Sequence, residues 1–180
     1  MKNIIKSTAL LLCSLAFFTA CDDDRDNNPT IQTPTTFVLN TPSYAQANVD
    51  LATSESLAFS WSQPDYGFPA LASYQIQVSP TNRWTKDIQA GEKDATDQAV
   101  GDYKTFDTEF SLVKGSVAAN EMAKALQEIV RYEPNNVPAS QDVYVRVRAA
   151  YAGDTIYSNA VQIKVLPYYM TVSYTHLRAH

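Results

Sequence analysis

The sequence predicts an all-β domain, an antiparallel β-sandwich crossed once by a short helix, and three patterns predict it. From Phe37 onward, short runs alternate apolar and polar residues and are broken by turn residues about every ten positions, the spacing of strands in a two-sheet domain. Eleven tyrosines and nine prolines tilt the composition toward strands and turns. Only the stretch 120–130 switches to the 3.6-residue period of an amphipathic helix.

Taken in order, Lys2 and Lys6 precede an apolar run from Thr8 to Phe18 that ends in small residues around Ala20, the layout of a secretory signal over residues 1–20. That run is shorter than the ~20 apolar residues a spanning helix needs, and no later stretch approaches that length. Residues 21–36 carry Asp22-Asp23-Asp24-Arg25-Asp26-Asn27-Asn28 and then a Pro/Thr-rich stretch, with too little apolar surface to offset the entropy of ordering, so they read as a flexible tether. In the domain proper, 37–167, Leu57, Phe59 and Trp61 fall on one face of a strand. Turn residues fill Pro64 to Pro69. Tyr74, Ile76 and Val78 then point inward, with Gln75 and Gln77 on the opposite face. For the helix, Asn120 is the predicted cap, and Met122, Leu126, Ile129 and Val130 share the buried face before Pro134 ends it. Its position predicts a crossover between the two sheets. Val143, Val145, Val147 and Ala149 alternate with Tyr144, Arg146 and Arg148, and beyond Gly153-Asp154 the inward set is Val161, Ile163 and Val165. These two runs predict a hairpin.

Charge narrows the partners. The formal net charge is −5, and removing residues 1–20 takes away Lys2 and Lys6 and no acid, which moves it to −7. Nucleic acid and anionic headgroups both attract clustered Lys/Arg, and no such cluster occurs, so neither is expected. Catalysis is not expected either, and no cofactor is implied. His176 and His180 are the only histidines and stand in the last five residues, which leaves a Ser/His/Asp relay or a histidine metal site nothing to use in the body. The five glycines form no phosphate loop. Asp65, Asp87 and Glu109 are the carboxylates available for glycosidase-type work, but no spacing puts two of them across one cleft. Aromatic faces are what sugar rings stack on. Trp61 continues the inward register of Leu57 and Phe59, whereas Trp84, past the Pro80-Thr81-Asn82 turn, is the candidate glycan platform beside its reading as edge packing. The outward row Tyr144, Arg146 and Arg148 is a second candidate contact surface, beside its reading as a solvated face.

Phe18-Thr19-Ala20-Cys21 resembles a bacterial lipobox, with Phe18 where leucine is usual. The resemblance implies cleavage before Cys21 and a lipid on its sulfur, which anchors the chain in a membrane; Cys13 leaves with the signal, so the body keeps no thiol. The acidic run after Cys21 resembles a surface-export signal of outer-membrane lipoproteins, which implies the outer face of the outer membrane. Asp142 to Ala149 followed by Tyr157 to Val165 looks like the closing hairpin of a fibronectin-III or immunoglobulin-like module, although Val143 stands where a fibronectin-III domain usually has tyrosine. In this order, with the lipobox, tether, early strands and inserted helix, the chain is similar to the N-terminal domain of SusE/SusF-type outer-membrane lipoproteins. That similarity implies a non-catalytic surface protein that helps an outer-membrane importer complex capture starch or a related glycan. It also implies that the sugar contacts lie in C-terminal domains absent from this chain, leaving 37–167 as a spacer. Residues 168–180 are read as a truncated tail whose last nine resemble translated sequencing-adapter read-through. A structural or adhesive surface module is the second reading, and an exported hydrolase the third.

Overall fold

The computed structural model describes residues 30–171 except 92 and 96–99. The chain divides into two units, Met1–Ile31 and Gln32–His180, and every element below belongs to the second.

Among the described residues, eight strands form two sheets and one α-helix connects them. The larger sheet contains β1 (Asn48–Asp50), β3 (Ser73–Ser79), β4 (Lys104–Thr105), β6 (Gln141–Tyr151), β7 (Asp154–Tyr157) and β8 (Val161–Leu166), ordered β1-β8-β6-β3-β4 with β7 also on β6. The smaller pairs β2 (Ser56–Ser60) with β5 (Lys114–Ala118). Helix α1 (Ala119–Val130) leaves β5 and delivers the chain to β6, the predicted crossover between sheets. One strand pairing departs from the antiparallel expectation: β1 runs parallel to β8, Asn48 opposite Lys164 and Asp50 opposite Leu166. The leading edge serves both sheets, because Leu39 bridges Trp61 at the end of β2 before β1 reaches β8.

The inward registers are those read from alternation. Leu57, Phe59 and Trp61 face Tyr74, Ile76, Val78, Val143, Val145, Val147, Ala149, Val161, Ile163 and Val165, all buried in one core. β-Branched side chains at every second position suit this pleated, one-sided packing. The Trp61 ring lies 5.5 Å from Tyr74 in a tilted contact and 6.0 Å from Phe110 in an edge-on one, both of the kind aromatic quadrupoles favour. Phe110 reaches this place because Gly115 opposite has no side chain; a Cβ there would come within 2.6 Å of the ring.

Three local expectations are corrected. Asn120 does not cap α1: Ala118 occupies the N-cap without a side-chain bond, and the Asn120 Oδ1 accepts from the Glu121 N–H inside the first turn. The helix emerges directly from β5, so its first turn is positioned by the strand rather than by a capping side chain. Its buried face is Ala119, Met122, Ala123, Ala125 and Leu126, while Ile129 is half-buried and Val130 exposed, since the helix ends at Arg131 in the left-handed region before the stripe comes round again. The outer face of β3 is not a plain solvated one: Gln77 and Ser79 are as buried as the inner residues, under the loop that follows β3.

The predicted hairpin is present with a break in its return strand. Ala152 and Gly153 turn it with φ of 51° and 90°, the paired positive values of a two-residue hairpin turn that matches strand twist. β7 pairs Tyr157 with Arg148, then β8 resumes at Val161 opposite Val145. Between them Ser158 replaces ladder bonds: its hydroxyl accepts from Val147 N–H at 2.9 Å. Asn159 ties the leading edge to this break, its Oδ1 accepting from Leu39 N–H at 2.9 Å and its Nδ2 donating to Leu39 C=O at 3.2 Å.

Candidate functional site

The most organised polar cluster lies on the outer face of the larger sheet. Because Val143 to Ala149 point inward at odd positions, Arg146 and Arg148 point outward, and the β3–β6 register sets Gln77 beside Arg146 and Gln75 beside Arg148. Each glutamine holds its arginine. Arg146 Nε donates to Gln77 Oε1 at 2.7 Å, and Arg148 Nη1 donates to Gln75 Oε1 at 2.7 Å. Gln77 is itself fixed, its Nε2 donating at 2.8 Å to Thr105 Oγ1, which in turn donates to Asp87. A buried polar chain satisfied at each link holds the terminal guanidinium in one geometry.

Aromatic rings complete the clamp. The Arg146 guanidinium carbon stands 4.2 Å from the Trp84 ring centre and 4.1 Å from that of Tyr157, with Tyr103 at 5.6 Å. Cation–π attraction of this kind contributes roughly 0.5–2 kcal/mol per ring. Trp84 is half-buried; its indole N–H donates to Asn82 Oδ1 at 3.0 Å, and its ring lies 5.7 Å from Tyr103. The loop that carries it is pinned by Asp102, which accepts from the backbone N–H groups of Thr85 and Lys86 and from the Thr85 hydroxyl. Burial alone would push the Asp102 carboxyl up, but the hydrogen bonds from Thr85 and Lys86, helped by Arg83, outweigh it and hold the group below its ordinary value. Burial draws Arg146 below its ordinary value, opposed by Tyr157, Tyr103 and Asp102.

The sequence singled out Trp84 and the Arg146 row separately; the structure brings them together. Tyr103, Tyr157 and Gln77 were not foreseen as their partners. The outward parity of Gln77 was legible, whereas the loop that returns Trp84 and Tyr103 over the sheet carries no periodic signal. Trp61 is 3 % exposed and belongs to the core. The three carboxylates are dispersed into structural bonds: Asp65 accepts from Gly67 N–H in a turn, Asp87 from Gln89 N–H and Thr105, and Glu109 from the Ser73 hydroxyl. Glu109 and Asp87 thus attach near opposite ends of β3, through Ser73 and through Thr105 beside Gln77. Among the described residues no group of three or more His, Cys, Asp or Glu is placed to hold a metal ion, and no helix is long and apolar enough to cross a membrane. Cys21, His176 and His180 lie outside the described residues.

Two open clefts lie elsewhere. One of about 690 Å³ runs beside β2 and β5 between Tyr44, Phe110, Leu112 and Lys114. The other, about 600 Å³, follows the end of α1 along Gln127, Arg131, Tyr132 and Tyr169. Burial pushes the Tyr132 phenol up to about 12, so it stays protonated at any physiological pH.

Two sheets joined by one crossover helix, with a clamped arginine on an open face, define an open β-sandwich-like domain. The family model described as SusE outer membrane protein matches residues 23–148, more than half of the chain, and the protein belongs to that family. Its members are outer-membrane proteins of a starch-utilisation system.

Proposed function

We propose that this chain is a non-catalytic, lipid-anchored component of an outer-membrane glycan-capture system, with residues 37–167 acting as an immunoglobulin-like spacer between the anchor and the sugar-binding parts. The observation that carries this reading is the family match over residues 23–148. Strand order supports the immunoglobulin-like assignment: β1-β8-β6-β3-β4 on one side and β2-β5 on the other is the arrangement expected when a leading strand lies parallel to the last strand of a two-sheet Greek-key domain. Cys21 carries the lipid, residues 21–36 form the tether, the signal ends at Ala20, and the protein works at the cell surface beside an importer complex. Starch contacts belong to domains that follow this module in the family. The Trp84 ring supports that division, because the Arg146 guanidinium already covers part of it and a neutral sugar would have to displace a cation–π contact.

Binding of amylose, pullulan and maltoheptaose, measured by calorimetry and affinity electrophoresis, tests the spacer assignment. No affinity tighter than about 100 µM, equivalent to about 5.5 kcal/mol, is expected. Tighter binding that disappears in Trp84→Ala refutes it and makes Trp84 a starch site.

A further inference from the structure

The Arg146 cluster has a property that a structural role does not require. Its Nε is taken by Gln77, but among the described residues neither terminal amino group makes a hydrogen bond, and neither is among the buried unpartnered atoms. Arg146 and Arg148 also form no ion pair among the described residues, in a protein that carries an excess of acids. The carboxylate whose charge reaches Arg146, Asp102, is occupied by the Thr85 and Lys86 groups it anchors and makes no ion pair with the guanidinium. Here the guanidinium is immobilised by two ring faces and a buried amide chain, and its free edge is left facing outward.

A guanidinium edge with two adjacent N–H donors matches a planar carboxylate in a bidentate pair, and immobilising it beforehand lowers the entropy lost on binding. Beside it, Tyr157 is 47 % exposed and Trp84 half-buried, so apolar ring surface adjoins the free donors. Arg148 lies two residues along the same face, about 7 Å away, and likewise makes no ion pair among the described residues.

We propose that the face formed by Arg146, Trp84 and Tyr157, with Arg148 beside it, is a binding site for acidic glycans, and that Arg146 takes the carboxylate of a uronic acid residue. This rests on the reading of the chain as a glycan-handling surface protein, which supplies the sugar; the cluster supplies the selection for charge. Neutral starch is not its ligand. The exposed part of Tyr157 left beside the guanidinium adjoins the bound uronate, and Arg148 meets the next charge along the chain.

Affinity electrophoresis and calorimetry with polygalacturonate test the assignment on the intact chain, with methyl-esterified polygalacturonate, polyglutamate and maltoheptaose as parallel probes. Polygalacturonate is expected to bind, and esterification, which removes the charge and keeps the ring, to weaken binding about tenfold or more, as for loss of a charge-assisted hydrogen-bond pair. Arg146→Gln is expected to do the same. Arg146→Lys, which keeps the charge but not the fork, is expected to lose most of the affinity as well, whereas general ion exchange would leave it unchanged. Melting temperature checks that both variants fold, and the esterified probe needs no variant. The proposal is overturned by equal binding of the esterified polymer, by wild-type affinity in Arg146→Lys, by polyglutamate binding as tightly as polygalacturonate, or by no uronate binding at all. None of these touches the reading of the module as a spacer with respect to starch, which fails instead if maltoheptaose binds tighter than about 100 µM and loses that binding in Trp84→Ala.

Discussion

Replacing Trp61 separates two opposing terms that meet in one side chain. The ring is 3 % exposed and packs on Tyr74 and Phe110, yet its indole Nε1 is buried without a hydrogen-bond partner. Truncation to alanine removes the aromatic contacts and leaves a cavity, for which about 3–5 kcal/mol is expected, comparable with the whole stability of a small domain. Trp61→Phe removes roughly two carbons' worth of apolar contact, about 1.5 kcal/mol at ~0.8 kcal/mol per methylene. It also removes the unpaired donor, whose burial costs about 1–3 kcal/mol. The two nearly cancel. Urea unfolding followed by far-UV circular dichroism should therefore place the phenylalanine variant within about 1 kcal/mol of the parent, with the alanine variant far below or not folded. If both variants lose the same amount, the indole nitrogen is not an orphan and the reasoning about its burial is wrong. If alanine costs less than about 1 kcal/mol, Trp61 is not in the core at all.

Gly115→Ala should drive a methyl into the Phe110 ring and destabilise by about 1–3 kcal/mol, and the double variant Gly115→Ala/Phe110→Leu should recover part of that loss in the same unfolding assay. Asn159→Ala removes both side-chain bonds to the buried Leu39 backbone, so a loss of about 2 kcal/mol and faster amide exchange at Leu39 are expected; unchanged exchange would mean the leading edge is held otherwise. Asp102 has a depressed folded-state pKa, so its contribution is present above the ordinary carboxylate value and is lost as pH falls through the folded one. Acid titration of stability should therefore be less steep in Asp102→Asn than in the parent, and identical slopes would refute the loop anchor. Cys21→Ala should move the processed protein out of the detergent phase in a partition assay, since about 0.8 kcal/mol per buried methylene is what holds a lipid anchor in a bilayer; unchanged partition would refute the lipid anchor.

Much of this was legible because alternation is a strong signal. The inward sets of β2, β3, β6 and β8 follow from period two alone, and Trp61 falls into place as part of one of them. What was not legible has identifiable causes. β1, β4 and β5 are two to five residues long, and β5 contains Gly115, so none presents enough alternation to stand out. The parallel contact of β1 with β8 joins residues more than a hundred positions apart, which no local pattern encodes. Asn120 looked like a cap because it is a good capping residue near a helix start, but a strand feeding the helix directly supplied the constraint instead. At the candidate site, Arg146 and Trp84 were each visible as surface possibilities. Their meeting depends on a loop anchored by Asp102 and Ser79, a tertiary event without a periodic trace.

The parallel pairing of β1 with β8 also determines how the module carries tension. β2 runs between the two ends of the domain: Gln32, where the body begins, bonds to Tyr66 beyond the end of β2, while Leu166, where β8 ends, bonds to Leu51 ahead of its start. A pull applied at these two points draws β1 and β8 past each other along their length. The hydrogen bonds between parallel neighbours cross that direction, so the rungs from Asn48–Lys164 to Asp50–Leu166 are loaded together and must break together rather than unzip one at a time. A load drawn through the module is thus met by shear across a short ladder, the stiffest way a strand pair resists being pulled apart.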